Sequence, residues 1–214
     1  MTGTNGTVIV VDDDQAFRLS MEQFLKSAGY RSRSFASASA FLASQPPDGP
    51  ACVLVDLRMP GMSGLELQEA LERAGRRCAL VFLSGHGNVK TTARAMRNGA
   101  VDFIEKPYEE ESLLEAIERA LARDRRDREM RAARVDARSR LARLSSAEIS
   151  VCEMLAEGLR NKEIAAKLGK AESTVKMQRW TAMSKLRVNT PMEIARLLDL
   201  ARGRDGAYPE PRGP

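Results

Sequence analysis

The chain has few of the residues that staple or anchor a protein. It carries 3 cysteines in 214 residues, an odd number with no C-x-x-C pair. Cys52, Cys78 and Cys152 each lie beside apolar or small residues. This argues against a disulfide framework or a thiolate metal site and marks all three as reduced packing residues of a cytoplasmic protein. There is a single histidine, His86. No apolar stretch approaches the roughly 18 residues needed to cross a bilayer, and the first six residues are polar, so neither export nor a membrane partner is indicated. Glycine and proline are missing between Tyr108 and Gly158, a stretch dense in Ala, Arg, Glu and Leu. Helix is the expectation there.

What is present is a set of short apolar runs, each closed by polar residues. Residues 8–11 run into Asp12 and Asp13, 52–55 into Asp56, 79–83 into Ser84, and 101–104 into Glu105, Lys106 and Pro107. Strands buried on both faces of a parallel sheet read as continuous apolar stretches, so these polar residues converge on one sheet edge. With a weaker strand at 31–35, which alternates and belongs near an edge, five strands alternate with helical patterns at 14–28, 37–44, 64–73, 88–98 and from 109 onward. Five βα units predict a doubly wound parallel sheet.

The apolar stripe Leu113, Leu114, Ile117 and Leu121 gives way to Asp124, Arg125 and Arg128. The buried face is expected to end near 121, and the helix to continue as a solvated linker to about 140. Acid stands four residues before base at Asp124/Arg128, Asp127/Arg131 and Asp136/Arg140, the favourable helix orientation. Two readings of this arginine-rich strip stay open, a solvated spacer and an auxiliary DNA contact. From Leu144 the pattern changes to four short helices at 146–157, 161–168, 173–186 and 190–201, and 203–214 reads as a frayed tail. Residues 1–121 carry 13 Lys/Arg against 16 Asp/Glu, 122–143 carry 9 against 4, and 144–214 carry 12 against 9. An acidic front and a basic back suggest a small-ion or phosphate site in one and a polyanion, foremost nucleic acid, for the other.

Phosphorylating an aspartate takes a carboxylate nucleophile, a cation to neutralise the phosphoryl group, and donors for its remaining oxygens. The sheet edge offers each. Asp56 is the candidate nucleophile, and Asp12 and Asp13 with Asp56 are candidate Mg²⁺ ligands, joined by the backbone carbonyl of Arg58. Hard oxygen donors of this kind suit Mg²⁺. The Ser84 hydroxyl and the Lys106 ammonium are placed to bind phosphoryl oxygens.

With VVDDD at 10–14, VDLRMPGMSGLEL at 55–67, SGHGN at 84–88 and GAVDFIEKPY at 99–108, residues 5–121 resemble a response-regulator receiver domain. The resemblance implies a flavodoxin-like fold and transfer of phosphate to Asp56 from a sensor histidine kinase. It also implies a cis peptide at Lys106–Pro107 and a switch pair of Ser84 and Phe103. Arg58 and His86, each two residues beyond a site residue, would tune signal lifetime; for His86 a loop role and a catalytic-base role stay open.

LSSAEISVCEMLAEGLRNKEIAAKLG at 144–169 and ESTVKMQRWTAMSKL at 172–186 resemble the LuxR-type helix-turn-helix of the NarL/FixJ family. Ile164, Ala165 and Leu168 would face the core, and Ser173 or Thr174 would cap the recognition helix near a phosphate. At 100° per residue Val175, Arg179, Ala182 and Leu186 share one side, and Ser173, Lys176, Met177, Trp180 and Ser184 the other. The outward face is expected in the major groove, Lys176 on guanine acceptors and Met177 or Trp180 on thymine methyls. Lys162, Thr174, Arg179 and Lys185 are expected on phosphate. Trp180 and Gln178 depart from the family's usual residues. Two readings of Trp180 stay open, base contact and packing against another helix or the receiver. The last helix, with Ile194, Leu197, Leu198 and Leu200, either pairs two DNA-binding domains or completes the core.

The expected organisation is therefore a receiver at 5–121, a helical linker at 122–143 and an all-α helix-turn-helix domain at 144–202. Phosphorylation would promote homodimerisation, through a surface near Val89, Thr92, Met96 and Ile104, and binding to double-stranded promoter DNA. The chain would not be an enzyme beyond self-catalysed phosphotransfer and slow autodephosphorylation. Two rivals are a constitutive DNA-binding protein with the receiver as scaffold and an aspartyl-phosphate phosphohydrolase. The second would need a D-x-D pattern and a cap domain, whereas Arg58 follows Asp56 by two and no cap segment exists.

Overall fold

A computed structural model of the chain describes residues 6–85 and 89–203; His86, with its expected role, and residues 204–214 lie outside them. The chain divides into two compact units, Met1–Arg128 and Glu129–Pro214.

In the first unit, β1 (Thr7–Val11), β2 (Arg31–Phe35), β3 (Ala51–Asp56), β4 (Ala79–Ser84) and β5 (Asp102–Glu105) form one parallel sheet in the order β2-β1-β3-β4-β5. β2 is an edge strand, as its alternation suggested. The helices are α1 (Gln15–Ser27), α2 (Ala38–Ala43), α3 (Gly64–Arg73), α4 (Val89–Arg97) and the start of α5 (Glu110–Leu141). The sheet's period-2 alternation builds two cores. Val8, Val10, Cys52, Leu54, Val81 and Leu83 pack under α1 and α5, which contribute Met21, Leu25, Leu113 and Ile117. Ile9, Val11, Val53, Val55, Leu80 and Phe82 pack under α2, α3 and α4, which contribute Phe41, Leu67, Leu71 and Ala95. Strand order reverses between β1 and β3, and ligands of open α/β sheets bind at the carboxyl ends beside such a switch point. Asp12 and Asp56 stand there.

Two features pin the turn after β3. Ser63 caps α3 by accepting from the Glu66 amide while the Glu66 carboxylate accepts from the Ser63 amide, a capping box. Gly64 donates its amide to the Leu57 carbonyl at 3.1 Å. A Cβ at Gly64 would run into the Asp56 carbonyl and the Phe82 ring.

α5 runs on to Leu141, as expected of the linker helix, but its buried face does not end near residue 121. Asp124 is 4% exposed; it accepts from the Ala51 amide at 2.9 Å and from Arg128 Nε at 2.6 Å. Arg128 Nη2 also reaches the Pro47 carbonyl at 3.5 Å. The expected Asp124/Arg128 pair therefore forms, but as an anchor for the first residue of β3. In the second unit the Asp136–Arg140 pair forms at 2.7 Å, Arg140 Nη1 donates to the Leu186 carbonyl at 3.4 Å, and Arg138 Nε donates to the Ala201 carbonyl at 2.9 Å. These arginines satisfy carbonyls at the ends of neighbouring helices, a role outside both the spacer and the DNA reading.

The second unit holds α6 (Ser146–Ala156), α7 (Asn161–Leu168), α8 (Glu172–Leu186) and α9 (Pro191–Arg202) around Val151, Cys152, Leu155, Ile164, Val175, Ala182, Leu186, Ile194 and Leu198. Ser145 and Thr190 open α6 and α9 with capping boxes to Glu148 and Glu193. Ile194 and Leu198 are buried, and Leu197 packs against the same cluster, so α9 completes this core.

Candidate functional site

The carboxyl edge of the sheet brings together residues 94 positions apart. Lys106 follows β5, and its Nζ lies 3.1 Å from Asp12 Oδ2 and 3.3 Å from Asp56 Oδ1. Its amide donates to the Ser84 carbonyl at 2.8 Å, tying β5's exit to the end of β4, and the Lys106–Pro107 peptide is cis as expected. The Asp56 carboxylate also accepts from the Arg58 amide at 2.7 Å. Asp12 accepts from the Asp14 amide at 2.9 Å. Ser84 is buried, and Phe103 is half-buried with its ring stacked on Phe82, centroids 6.0 Å apart.

Three contributors were not singled out from the sequence. Lys106 Nζ lies 3.8 Å from the centroid of the Phe17 ring, a cation–π contact that fixes the lysine from the α1 side. Arg18 Nη1 donates to the Asp12 carbonyl at 2.7 Å. Burial pushes the Tyr108 hydroxyl up to about 12, with the Asp12 charge adding to it. A phenylalanine far from the lysine it touches, or an arginine on α1 reaching back to a strand-end carbonyl, carries no periodic signal that would have marked it.

Burial also raises the Asp12 carboxyl above its ordinary range, against the lowering pull of the Asp14 amide and Lys106. A buried carboxylate beside a second one is short of positive charge. The donor set fits a divalent cation of the Mg²⁺ type, which is held through one or two carboxylates and keeps waters for the rest. Among the described residues no group of three His, Cys, Asp or Glu side chains is placed to hold a metal. Asp13 is exposed, and the Lys106 ammonium already bridges the other two carboxylates.

The second unit presents α8. Val175, Ala182 and Leu186 are buried, while Ser173, Thr174, Lys176, Met177 and Trp180 are exposed, the last two at 64% and 70%. Trp180 is thus not packed into the core of its own unit. Lys162 on α7 is exposed as well, and Lys176 pairs with Glu172 at 3.1 Å on the surface. Two expectations are corrected. The cap of α8 is Ala171, with no side-chain hydrogen bond, and Ser173 and Thr174 lie inside the first turn. Lys185 is held by the buried Glu148, 2.8 Å from each carboxylate oxygen, so it is not a free phosphate ligand. Arg179 is half-buried, and its Nη1 lies 3.3 Å from Asn161 Oδ1.

The Lys185 ammonium and then the Ser145 amide hold Glu148 below the usual carboxylate range. A carboxyl whose folded pKa is depressed stabilises the fold fully above its unfolded value, here 4.5, and that contribution is lost as pH falls through the lower folded value. Glu148→Gln should therefore weaken the second unit by about 1 kcal/mol at neutral pH, through the lost charge of the Lys185 pair, while the Gln oxygen still accepts from the Ser145 amide. It should also flatten the decline of stability below the unfolded value. Hydrogen exchange of α6 and α8 amides as a function of pH reads both effects; an unchanged acid slope would contradict this role.

Residues 8–118 match the response regulator receiver domain family, and residues 142–198 match the luxR family of bacterial regulatory proteins. The chain is similar to nodulation protein W of Bradyrhizobium diazoefficiens, 39% identical over 194 residues that cover 91% of this chain and 86% of that one. It is also similar to the transcriptional regulatory protein FixJ of Azorhizobium caulinodans, 38% identical over 194 residues covering 91% and 92%. Among solved structures, the response regulator StyR superposes with a TM-score of 0.80 at 40% identity, covering 90% of this chain and 98% of that one. Full-length FixJ from B. japonicum gives 0.56 at 36% identity, covering 94% and 98%.

Proposed function

Because the chain belongs to the response regulators that join a receiver to a LuxR-type helix-turn-helix, phosphorylation-activated DNA-binding proteins as a class, we propose that Asp56 is its phosphoacceptor and α8 its DNA-reading helix. The observation that carries the first half is the Lys106 ammonium set between Asp12 and Asp56, carboxylates brought together from two strand ends. Of the groups at this edge, Asp56 is the less buried carboxylate of the pair, open to an incoming phosphodonor such as the phosphohistidine of a sensor kinase. Receiver domains of this family generally bind Mg²⁺ at the phosphorylation site. Asp12, Asp13, Asp56 and the Arg58 carbonyl would hold it. Bound there, the cation supplies neutralising charge for the transferred phosphoryl group. Lys106 and Ser84 then bind phosphoryl oxygens, and Phe103 responds to the movement of Ser84. The protein's chemistry is one self-catalysed transfer followed by slow hydrolysis, with no separate substrate turned over.

In the second unit, Lys176, Met177 and Trp180 face the bases, and Ser173, Thr174, Lys162 and Arg179 face the backbone. Phosphorylation promotes a homodimer through the face of α4 and β5, where Val89 is 86% and Met96 42% exposed, and two copies engage promoter DNA in the cytoplasm. None of the described helices is long and apolar enough to cross a membrane. Comparing promoter affinity and sedimentation of the full chain with and without beryllofluoride tests the switch. A rise in both affinity and mass is expected; equal affinity would favour the constitutive scaffold instead.

Trp180→Ala separates base reading from backbone binding. Log affinity against log salt has a slope of about −0.9 for each phosphate neutralised, whereas a base contact contributes discrimination of about 1–3 kcal/mol without changing that slope. The variant should alter the sites recovered from a random DNA pool while leaving the slope within error. A uniform loss across all sites would argue against base contact. Lys185→Ala, in contrast, should not reduce the slope, because Glu148 already neutralises that lysine.

A further inference from the structure

Lys106 is the long, flexible member of the phosphoryl site, and a fixed aromatic ring meets it. A lysine ammonium carries three N–H groups on a freely rotating four-carbon stem. The Lys106 nitrogen reaches Asp12 Oδ2 at 3.1 Å and Asp56 Oδ1 at 3.3 Å, and the centroid of the Phe17 ring lies 3.8 Å from the same atom. The ring, unlike the lysine, is pinned. Asp14 caps α1 by accepting from the Ala16 and Phe17 amides at 2.8 Å and 3.3 Å, and Arg18 ties the same turn to the Asp12 carbonyl at 2.7 Å. Phe17 is half-buried and packs against the core that α1 and α5 cover. It is therefore fastened to the strand end that carries Asp12, whereas the Lys106 side chain is 26% exposed and has water as an alternative partner.

We propose that Phe17 is a positioning residue for phosphotransfer to Asp56, holding the Lys106 ammonium at the sheet edge where it meets the incoming phosphoryl oxygens. The proposal rests on Asp56 as the phosphoacceptor. In the transfer an Asp56 carboxylate oxygen bonds to phosphorus, and the P–O bond to the donor breaks. The donor leaves with that electron pair, as acetate when acetyl phosphate is used. Phe17 takes no part in making or breaking bonds. Its role follows from what becomes of the other Lys106 contacts. Lys106 must share Asp12 and Asp56 with any divalent cation that binds there, and transfer removes the charge from the Asp56 carboxylate itself. Neither change touches the ring. Its negative face keeps attracting the ammonium, more strongly in a partly desolvated site than at an open surface. A charged donor held in reach beforehand does not have to be gathered in at the moment of reaction. A leucine in the same place would fill the space and leave the ammonium free to turn toward water.

Labelling of the full chain by acetyl phosphate at saturating Mg²⁺, beside NMR of the unphosphorylated chain, tests it. The Lys106 ε-methylene protons should lie upfield of those of the other lysines, because they sit over a ring, and should return to the common position in Phe17→Leu. The initial rate of labelling in Phe17→Leu should fall about tenfold, while Phe17→Tyr, which keeps the ring, should stay within about twofold of the wild type. Replacing Phe17 alone by mono-, di- and trifluorophenylalanine weakens the negative face at nearly constant shape, and the rate should fall stepwise with each fluorine. If Phe17→Leu does not fold, this series decides. A labelled wild type whose rate is unchanged across the fluorinated rings, or in Phe17→Leu, overturns the proposal and leaves Asp56 in its role. A Lys106 signal that does not move in Phe17→Leu overturns it as well. A wild-type chain without label at Asp56 overturns the reading on which the proposal rests, and the proposal with it.

Discussion

Asp56→Asn should take up less than about one-hundredth of the acid-labile phosphate that the wild-type chain takes from acetyl phosphate, because the amide is no nucleophile. The fold should not suffer. Asn is isosteric, its carbonyl oxygen can still accept the Arg58 amide that now lies 2.7 Å from the carboxylate, and Lys106 keeps Asp12 at 3.1 Å. The Asp56 charge is one of the influences that push the Asp12 carboxyl up. Removing it relieves like-charge repulsion, and the variant should melt at the same temperature as the wild type or slightly higher, as changes that discharge a functional site often do. Retention of label, or its transfer to a peptide that contains Asp12 or Asp13, would remove Asp56 from the role.

The second large effect lies at the other end of the same strand. Asp124→Ala should cost about 2–3 kcal/mol, measured by urea unfolding of the receiver unit. The Ala51 amide is left buried without an acceptor, which costs about 1–3 kcal/mol. The Arg128 pair is lost too, but Arg128 is 35% exposed and water screens much of that contribution. Asp124→Asn separates the two. It keeps an acceptor for Ala51 and gives up only the charge, so about 1 kcal/mol is expected. A cost below about 0.5 kcal/mol for the alanine variant would show that the α5 anchor contributes little.

Much of the receiver can be read from the sequence because its signals are local. Four apolar runs end in Asp12, Asp56, Ser84 and Lys106, and the parallel sheet carries these residues to one edge whatever the loops do. The bounds of α3 and α7 follow from Ser63 and Glu66 at one helix start and from Gly169 at the other helix end. Pairing between distant elements is what the sequence conceals. Asp124 sits four residues before Arg128 and resembles any surface helix pair; its burial depends on the Ala51 amide, 73 residues away. Lys185 looks like a phosphate ligand until Glu148, 37 residues earlier, closes on it. Ser173 is a good cap by type, yet the helix begins one residue before it, where Glu172 already has helical geometry.

The absence of a side chain at Gly64 bears on the direction in which a signal can leave Asp56. The space behind the Asp56 carbonyl is filled by the backbone of α3's first turn and by Phe82, and the Leu57 carbonyl and the Ser63 cap hold that turn in place. This flank is stiff. Across the site, α4 buries a single side chain, Ala95, and leaves Val89 and Met96 outside. An element with so few buried contacts lies at the low-stability end of the fold. Added charge at Asp56 therefore meets a wall on one side and a compliant helix on the other. On the proposed reading of Asp56, the asymmetry in stiffness would make the response directional, toward β4 and α4.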